Sequence, residues 1–271
     1  MSSTKYDQIG HGYNTTRQAD DFIAQRLFDL LKPHPEKDQL YLDIGCGTGN
    51  YTIALTEMGA NFVGVDPSDK MLELARTKSQ KTNWLKGTAD QIQVSNGTFS
   101  GAIATLTIHH WEELALGFKE MARVLKADGK FILFTSTPTQ MKGYWLNHYF
   151  PKMLSDSINQ MPSMEQIETA MSATGFIIEE SEKYFVKDDL KDHFLYGGKN
   201  KPQNYFNEDI RNGISSFSTL ANAQEVNQGL TKLAEDLRNG RFKEIQGKYL
   251  NDMGDYLFIS AVKTGCSKLN D

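Results

Sequence analysis

The spacing of apolar residues divides the chain into two unlike parts. Between residues 39 and 137, short apolar runs alternate with amphipathic stretches. Runs ending in Leu42 and Ile44, in Val63 and Val65, and in Ile132 and Phe134 predict buried strands over 39–44, 62–65 and 130–135, with further strands over 83–86 and 101–106. Helical spacing predicts helices over 50–58, 68–77 and 112–125, the last with Leu114, Phe118, Met121, Ala122 and Leu125 on one face. A helix over 17–31 precedes them, with Thr15 or Thr16 as its cap and Pro33 and Pro35 ending it. Alternating strands and helices imply parallel βαβ units with right-handed crossovers, and so a doubly wound α/β sheet.

After residue 137 the pattern loosens. The aromatic-rich stretch 144–154 reads as a helix or a lid, 164–173 as a helix ended by Gly175, and 176–178 as the start of another strand. A mostly helical stretch follows, with candidate helices over 188–196, 207–217 and 223–237, before a last strand over 256–262. An insertion bracketed by two strands of a sheet is a cap on it rather than an independent domain. The expected division is an arm and helix (1–38), a ligand-binding core (39–137), a lid segment with helix and sixth strand (138–186), a helical cap (187–253), and a last strand with tail (254–271).

Composition narrows the classes. With 39% hydrophobic residues in 271, the chain can bury a sizeable core. A formal charge of −5 gives no basic footprint, which disfavours nucleic acid as a partner. Residues 1–10 are polar and lack a signal-peptide pattern, and no apolar run reaches the ~18 residues of a membrane helix. Cys46 and Cys266 have neither metal-ligand spacing nor the number expected of a disulfide framework. The expectation is a cytoplasmic protein with no membrane span and no metal.

The chemistry starts at Asp43-Ile44-Gly45-Cys46-Gly47-Thr48-Gly49-Asn50, a strand end followed by glycines at alternate positions. The dinucleotide fingerprint is Gly-x-Gly-x-x-Gly. Here the third glycine comes one residue early, and Asn50 stands where that fingerprint needs Gly or Ala. Asp43 would repel a pyrophosphate and suits a cationic amino group. The pattern points to a nucleoside carrying an amino acid. Asp66, at the end of the second strand, can accept hydrogen bonds from ribose hydroxyls or cap the next helix.

Asp-x-Gly-x-Gly-x-Gly after a hydrophobic strand resembles motif I of the class I S-adenosylmethionine-dependent methyltransferases, of the small-molecule, type 11-like kind. The resemblance implies a Rossmann-like seven-stranded sheet with an antiparallel last strand and a helical cap inserted before it. It implies S-adenosyl-L-methionine as cofactor, held by Asp43, Gly45, Cys46, Gly47, Thr48 and Gly49 at the glycine loop and by Asp66 and Pro67 at the ribose. Ala89, Asp90 and Gln91 would surround the adenine, with Asp90 otherwise a solvated loop acid; Met71 would pack on the adenine face or simply in the core, and Leu106 would stand near the methyl group. From the arm, Tyr13 would cover the methionine moiety and Arg17 would either pair with its carboxylate or begin a solvated helix face.

In open α/β sheets the ligand crevice lies beyond the carboxyl ends of the strands, which places His109 and His110 beside the reacting group. A neutral imidazole can take a proton from an attacking hydroxyl or amine near neutral pH; the structural alternative is that one histidine caps the following helix. Some sugar-modifying O-methyltransferases of the resembling family carry a catalytic histidine pair here together with an acid after the fifth strand, and Phe134 to Pro138 contains no acid. Trp111, Tyr144, Trp145, His148 and Tyr196 are candidates for the acceptor pocket. Neither an Asn/Asp-Pro-Pro-aromatic motif nor a Pro-Cys pair is present, so the expected acceptor is a small molecule or a lipid headgroup, methylated on oxygen or nitrogen. A catalytically silent S-adenosylmethionine-binding protein and an NAD-dependent oxidoreductase are the alternatives.

Overall fold

The computed structural model describes residues 16–33 and 39–265. Seven strands form its sheet: β1 Leu40–Ile44, β2 Asn61–Asp66, β3 Asn83–Lys86, β4 Phe99–Thr105, β5 Leu125–Thr135, β6 Phe176–Tyr184 and β7 Tyr256–Lys263, in the order β3-β2-β1-β4-β5-β7-β6. β1 to β5 pair in parallel, while β7 lies antiparallel between β5 and β6. The chain winds from β1 out to β3, then restarts at β4 on the other side of β1. The switch in direction therefore falls between β1 and β4, and a crevice opens beyond their carboxyl ends.

The central strands read as continuous apolar runs because both of their faces are covered. Successive residues of β5 alternate between two cores: Ile132 and Phe134 join one apolar cluster, Phe131 and Leu133 the other. The first cluster takes in α1 (Asp21–Leu31) and the insertion between β6 and β7; the second takes in α4 (Leu114–Val124) and α8 (Met164–Ala173). α2 (Asn50–Glu57) follows the glycine loop and adds Tyr51 and Leu55 to the first cluster, and α3 (Asp69–Lys78) follows β2 with Ser68 as its N-cap and packs Leu72 and Ala75 with Trp84.

Several elements differ from expectation. α1 starts at Asp21 rather than at 17, because Asp20 is its cap: its Oδ1 accepts from the N–H groups of Phe22 and Ile23, each at 3.1 Å. β6 runs on to Tyr184 through Glu179, Glu180, Glu182 and Lys183, charged residues that suit an exposed edge strand and leave no apolar run to read. A short helix α5 (Pro138–Lys142) comes first, and the aromatic-rich stretch 144–154 lies in two more, α6 (Leu146–Tyr149) and α7 (Pro151–Ile158).

The predicted helix over 188–196 is absent; that segment turns irregularly, and the N–H of His193 donates to Thr16 O at 3.2 Å while that of Lys191 donates to Asp20 Oδ2 at 3.0 Å. The predicted helix over 207–217 is broken at Gly213 into α9 (Glu208–Asn212) and α10 (Ser215–Thr219). A Cβ at Gly213 would stand 2.2 Å from Thr16 Oγ1, so the break sits against the same residues before α1. α11 (Ala223–Arg238) matches expectation, and α12 (Phe242–Lys248) is a further helix of the same stretch. The insertion shares one apolar cluster with the sheet: Tyr196, Tyr205, Leu233 and Phe242 pack with Phe134 and Phe258. Among the described residues, no helix is long and apolar enough to cross a membrane.

Candidate cofactor and acceptor site

The loop from β1 to α2 carries Gly47 and Gly49 in left-handed conformations, φ 54° and 76°. Their surroundings differ. A Cβ on Gly49 would lie 2.3 Å from the Trp84 ring, whereas one on Gly47 would meet nothing within 4 Å. Gly49 lets the loop pack on β3; Gly47 leaves its face open to the cavity it lines. The Gly47 N–H donates to Asp66 Oδ2 at 2.9 Å, and the Ser68 N–H donates to Asp66 Oδ1 at 2.9 Å. Those two bonds orient the Asp66 carboxylate at the cavity wall, where each oxygen can accept further hydrogen bonds.

Asp43 lies buried beneath the loop. Its Oδ2 accepts from the Thr52 hydroxyl at 2.6 Å, and its Oδ1 has no hydrogen-bond partner among the described residues. Burial pushes its carboxyl up to about 7, the nearby Asp66 charge adds to the rise, and the Thr52 hydrogen bond opposes it. The Cys46 thiol is likewise raised well above its ordinary value by burial, with Asp43 and Asp66 adding to the effect, so it is no thiolate nucleophile. Lys78, lowered to about 8 by burial, donates to Thr48 Oγ1 at 2.9 Å and Asn50 Oδ1 at 2.7 Å, which ties the loop to the end of α3.

Beyond β4, Leu106 takes a left-handed conformation (φ 52°) and donates its N–H to Phe134 O at 2.8 Å. A 3-10 turn, Ile108–His110, follows and brings the His109 and His110 rings to 3.9 Å between centroids. Both line the cavity. Ser136 and Tyr144 also line the cavity, and the hydroxyls of both donate to Asp255 O. Tyr196 stacks behind Tyr144 at 3.8 Å with 9° between the planes and so holds it without reaching the cavity.

One continuous cavity thus gathers Arg17, Asp43, Gly45, Cys46, Gly47, Thr48, Asp66, Met71, Leu106, His109, His110 and Tyr144. Other expected site residues are placed elsewhere. Gly49 faces Trp84, and Pro67 is not part of the wall. Ala89, Asp90 and Gln91 sit on a turn after β3 closed by mutual Thr88–Gln91 backbone hydrogen bonds, with Asp90 exposed. Three acceptor-pocket candidates besides Tyr196 need correction. Trp111 faces the opposite layer, where it stacks on Phe131 and meets Phe118 edge-on, because Gly117 leaves room for its indole. Trp145 is core, wedged between Tyr149, Tyr205 and Phe242 with its Nε1–H donated to Lys199 O at 3.0 Å. His148 lies edge-on to Tyr149 on α6 and outside the cavity wall, its pKa lowered by burial and then by Lys232. Tyr13 is outside the described residues.

The cavity also has walls that sequence reasoning missed: Tyr51, Asp192, Ser136, Tyr256 and residues 214–216. Tyr51 could have been found, since it directly follows the glycine loop. Asp192 had no local signal; the partner that explains it, Arg17, is 175 residues away.

Residues 42–133 match the model of the methyltransferase domain family. A solved structure from Anabaena variabilis, described as a candidate methyltransferase from an antibiotic biosynthesis pathway, is 33% identical, with a TM-score of 0.80 over 90% of this chain and 98% of its own. An uncharacterized methyltransferase of Mycobacterium tuberculosis is 34% identical over 110 residues, which are 41% of this chain and 45% of the relative, so the chain spans less than half of that relative's length. A ubiquinone/menaquinone biosynthesis C-methyltransferase of Geotalea uraniireducens is 28% identical over 50% of this chain and 69% of its own. The chain belongs to the class I S-adenosylmethionine-dependent methyltransferases.

Proposed function

We propose that the protein transfers a methyl group from S-adenosylmethionine to an oxygen or nitrogen of a small-molecule acceptor, with the His109–His110 pair as base. The observation that carries this reading is that both imidazoles line the same cavity as Asp43, Gly47 and Asp66. The residues fit the cofactor: Gly47 offers an open face, Asp43 Oδ1 awaits a donor such as an ammonium, and Asp66 is oriented to receive ribose hydroxyls. When bound, S-adenosylmethionine supplies an electrophilic methyl carbon on a positively charged sulfur.

The chain's own residues do the rest. Asp43 and Asp66 fix the two ends of the nucleoside–amino acid, which restrains the reacting atoms and supplies much of the acceleration through orientation. His109 or His110 takes the proton of an acceptor hydroxyl as the new bond to the methyl carbon forms and the bond from that carbon to sulfur breaks, or takes the proton of an acceptor ammonium before the freed amine attacks. The two rings lie 3.9 Å apart between centroids, so either can reach an acceptor held in the cavity that both line. The insertion contributes Phe194, Leu195 and residues 214–216 to the wall, which encloses the acceptor away from water. A carbon acceptor is the second reading, favoured by the similarity to a C-methyltransferase.

The test is release of S-adenosylhomocysteine over a panel of hydroxy acids, phenols, sugars, amines and quinols, with the methylated product located by mass spectrometry. Turnover of a phenol, sugar, hydroxy acid or amine supports the reading, turnover confined to a quinol ring carbon supports the second, and cofactor binding without turnover of any acceptor supports a silent binding protein.

Asp43 gives the site a pH signature. An ammonium needs the carboxylate, which burial holds protonated below about pH 7. S-adenosylhomocysteine affinity should therefore weaken as pH falls below about 7, approaching tenfold per unit, and Asp43→Asn should flatten that dependence. Cofactor-free stability runs the opposite way. The folded-state pKa lies above the unfolded value of 3.8, so the stabilising contribution is full below about 4 and is lost as pH rises through about 7. Titration calorimetry and thermal melts across this range check both signs; pH-independent binding by the unaltered protein would remove Asp43 from the ammonium site.

A further inference from the structure

Part of the cavity wall is built from contacts between two distant pieces of chain. Arg17 lies just before α1, and Asp192 lies in the irregular segment of the insertion. Arg17 Nε donates to Asp192 Oδ1 at 2.5 Å and its Nη2 to Oδ2 at 3.2 Å, a two-point fork. The Tyr51 hydroxyl donates to Asp192 Oδ2 at 3.2 Å, and Asn50 Nδ2 donates to Arg17 O at 2.9 Å. All four residues line the cavity.

We propose that Asp192 is a positioning residue, which sets the Arg17 guanidinium at the cavity wall to receive the carboxylate of the cofactor's amino-acid end. The proposal rests on the methyltransferase reading of the same site. Its first support is charge. Among the described residues that line the cavity, Arg17 supplies the one guanidinium or ammonium group, against three carboxylates, Asp43, Asp66 and Asp192. A ligand end bearing both an ammonium and a carboxylate matches that arrangement, with its ammonium toward Asp43 and its carboxylate toward Arg17.

The second support is geometry. The Asp192 side chain is 1% exposed, and a carboxylate so buried requires a cation or donors of its own; the fork and the Tyr51 hydroxyl provide them. In return the fork fixes the plane of a side chain that would otherwise sample many rotamers. The bonds to Asp192 run along the Nε–Nη2 edge, and the charge is delocalised over the whole guanidinium, which can attract a second anion. Because Asp192 belongs to the insertion that also supplies Phe194 and Leu195 to the wall, cofactor recognition and the acceptor side of the cavity are joined through one segment.

The experiment compares S-adenosylhomocysteine with 5′-methylthioadenosine, which lacks the amino-acid end, by titration calorimetry on the full chain. The unaltered protein should prefer S-adenosylhomocysteine. Asp192→Asn keeps the size of the side chain and removes its charge; it should weaken S-adenosylhomocysteine by about tenfold or more and leave 5′-methylthioadenosine within about twofold. Arg17→Lys, which keeps the charge and loses the fork, should do the same and guards against a variant that folds poorly. Equal weakening of both ligands would show a purely structural pair and overturn the proposal, as would no change in either. Binding of neither ligand by the unaltered protein would overturn the cofactor reading itself, a separate and distinguishable result.

Discussion

Replacing His109 and His110 together with alanine should lower turnover by roughly 10²- to 10⁴-fold and leave the S-adenosylhomocysteine dissociation constant within about twofold. The separation follows from position. The two rings stand on the turn after β4, while the residues proposed to hold the cofactor lie on β1 and the loop after it, at the end of β2 and just before α1. Single substitutions should show which ring faces the acceptor: the base variant loses turnover and its pH dependence near an imidazole pKa, and the other keeps both. If the double variant turns over at the normal rate, the pair serves the turn and the base must be sought elsewhere.

The same substitution at two glycines should give opposite losses. Asparagine tolerates the left-handed backbone better than other side chains, so the comparison isolates what the side chain meets. At Gly47 it meets open cavity; Gly47→Asn should fold with little change in melting temperature and lose detectable S-adenosylhomocysteine binding. At Gly49 its Cβ would start 2.3 Å from the Trp84 ring; Gly49→Asn should cost about 1–3 kcal/mol of stability or more, read by denaturant unfolding. Intact binding in a folded Gly47→Asn would show that this face does not receive the cofactor.

The parallel half of the fold was legible because its signals are local. Runs such as Phe62 to Val65 must be apolar on both faces, and the glycine loop must follow β1 directly. The loop residues, Asp43 and Asp66 could be placed on a cavity for the same reason: topology alone brings strand ends β1, β2 and β4 together. The insertion was misread where long-range partners decide the backbone. Residues 188–196 carry helix-compatible spacing, yet their polar groups bond to residues 16–20, and no periodicity can reveal that. Aromatic residues were ambiguous in kind: Tyr144 reaches the cavity, whereas Trp145 and Tyr196 build the core behind it, a division set by packing rather than by residue type. The place of Trp111 after β4 points to the pocket, but Gly117 opens a seat for it on the other face of the sheet.

The most direct test of the central claim is titration of the purified protein with S-adenosylhomocysteine and, separately, with NADH. The spacing of the glycine loop, the unpartnered Asp43 Oδ1 and the orientation of Asp66 predict saturable binding of S-adenosylhomocysteine at one site per chain, with no heat from NADH. Saturable NADH binding without any from S-adenosylhomocysteine would contradict the account.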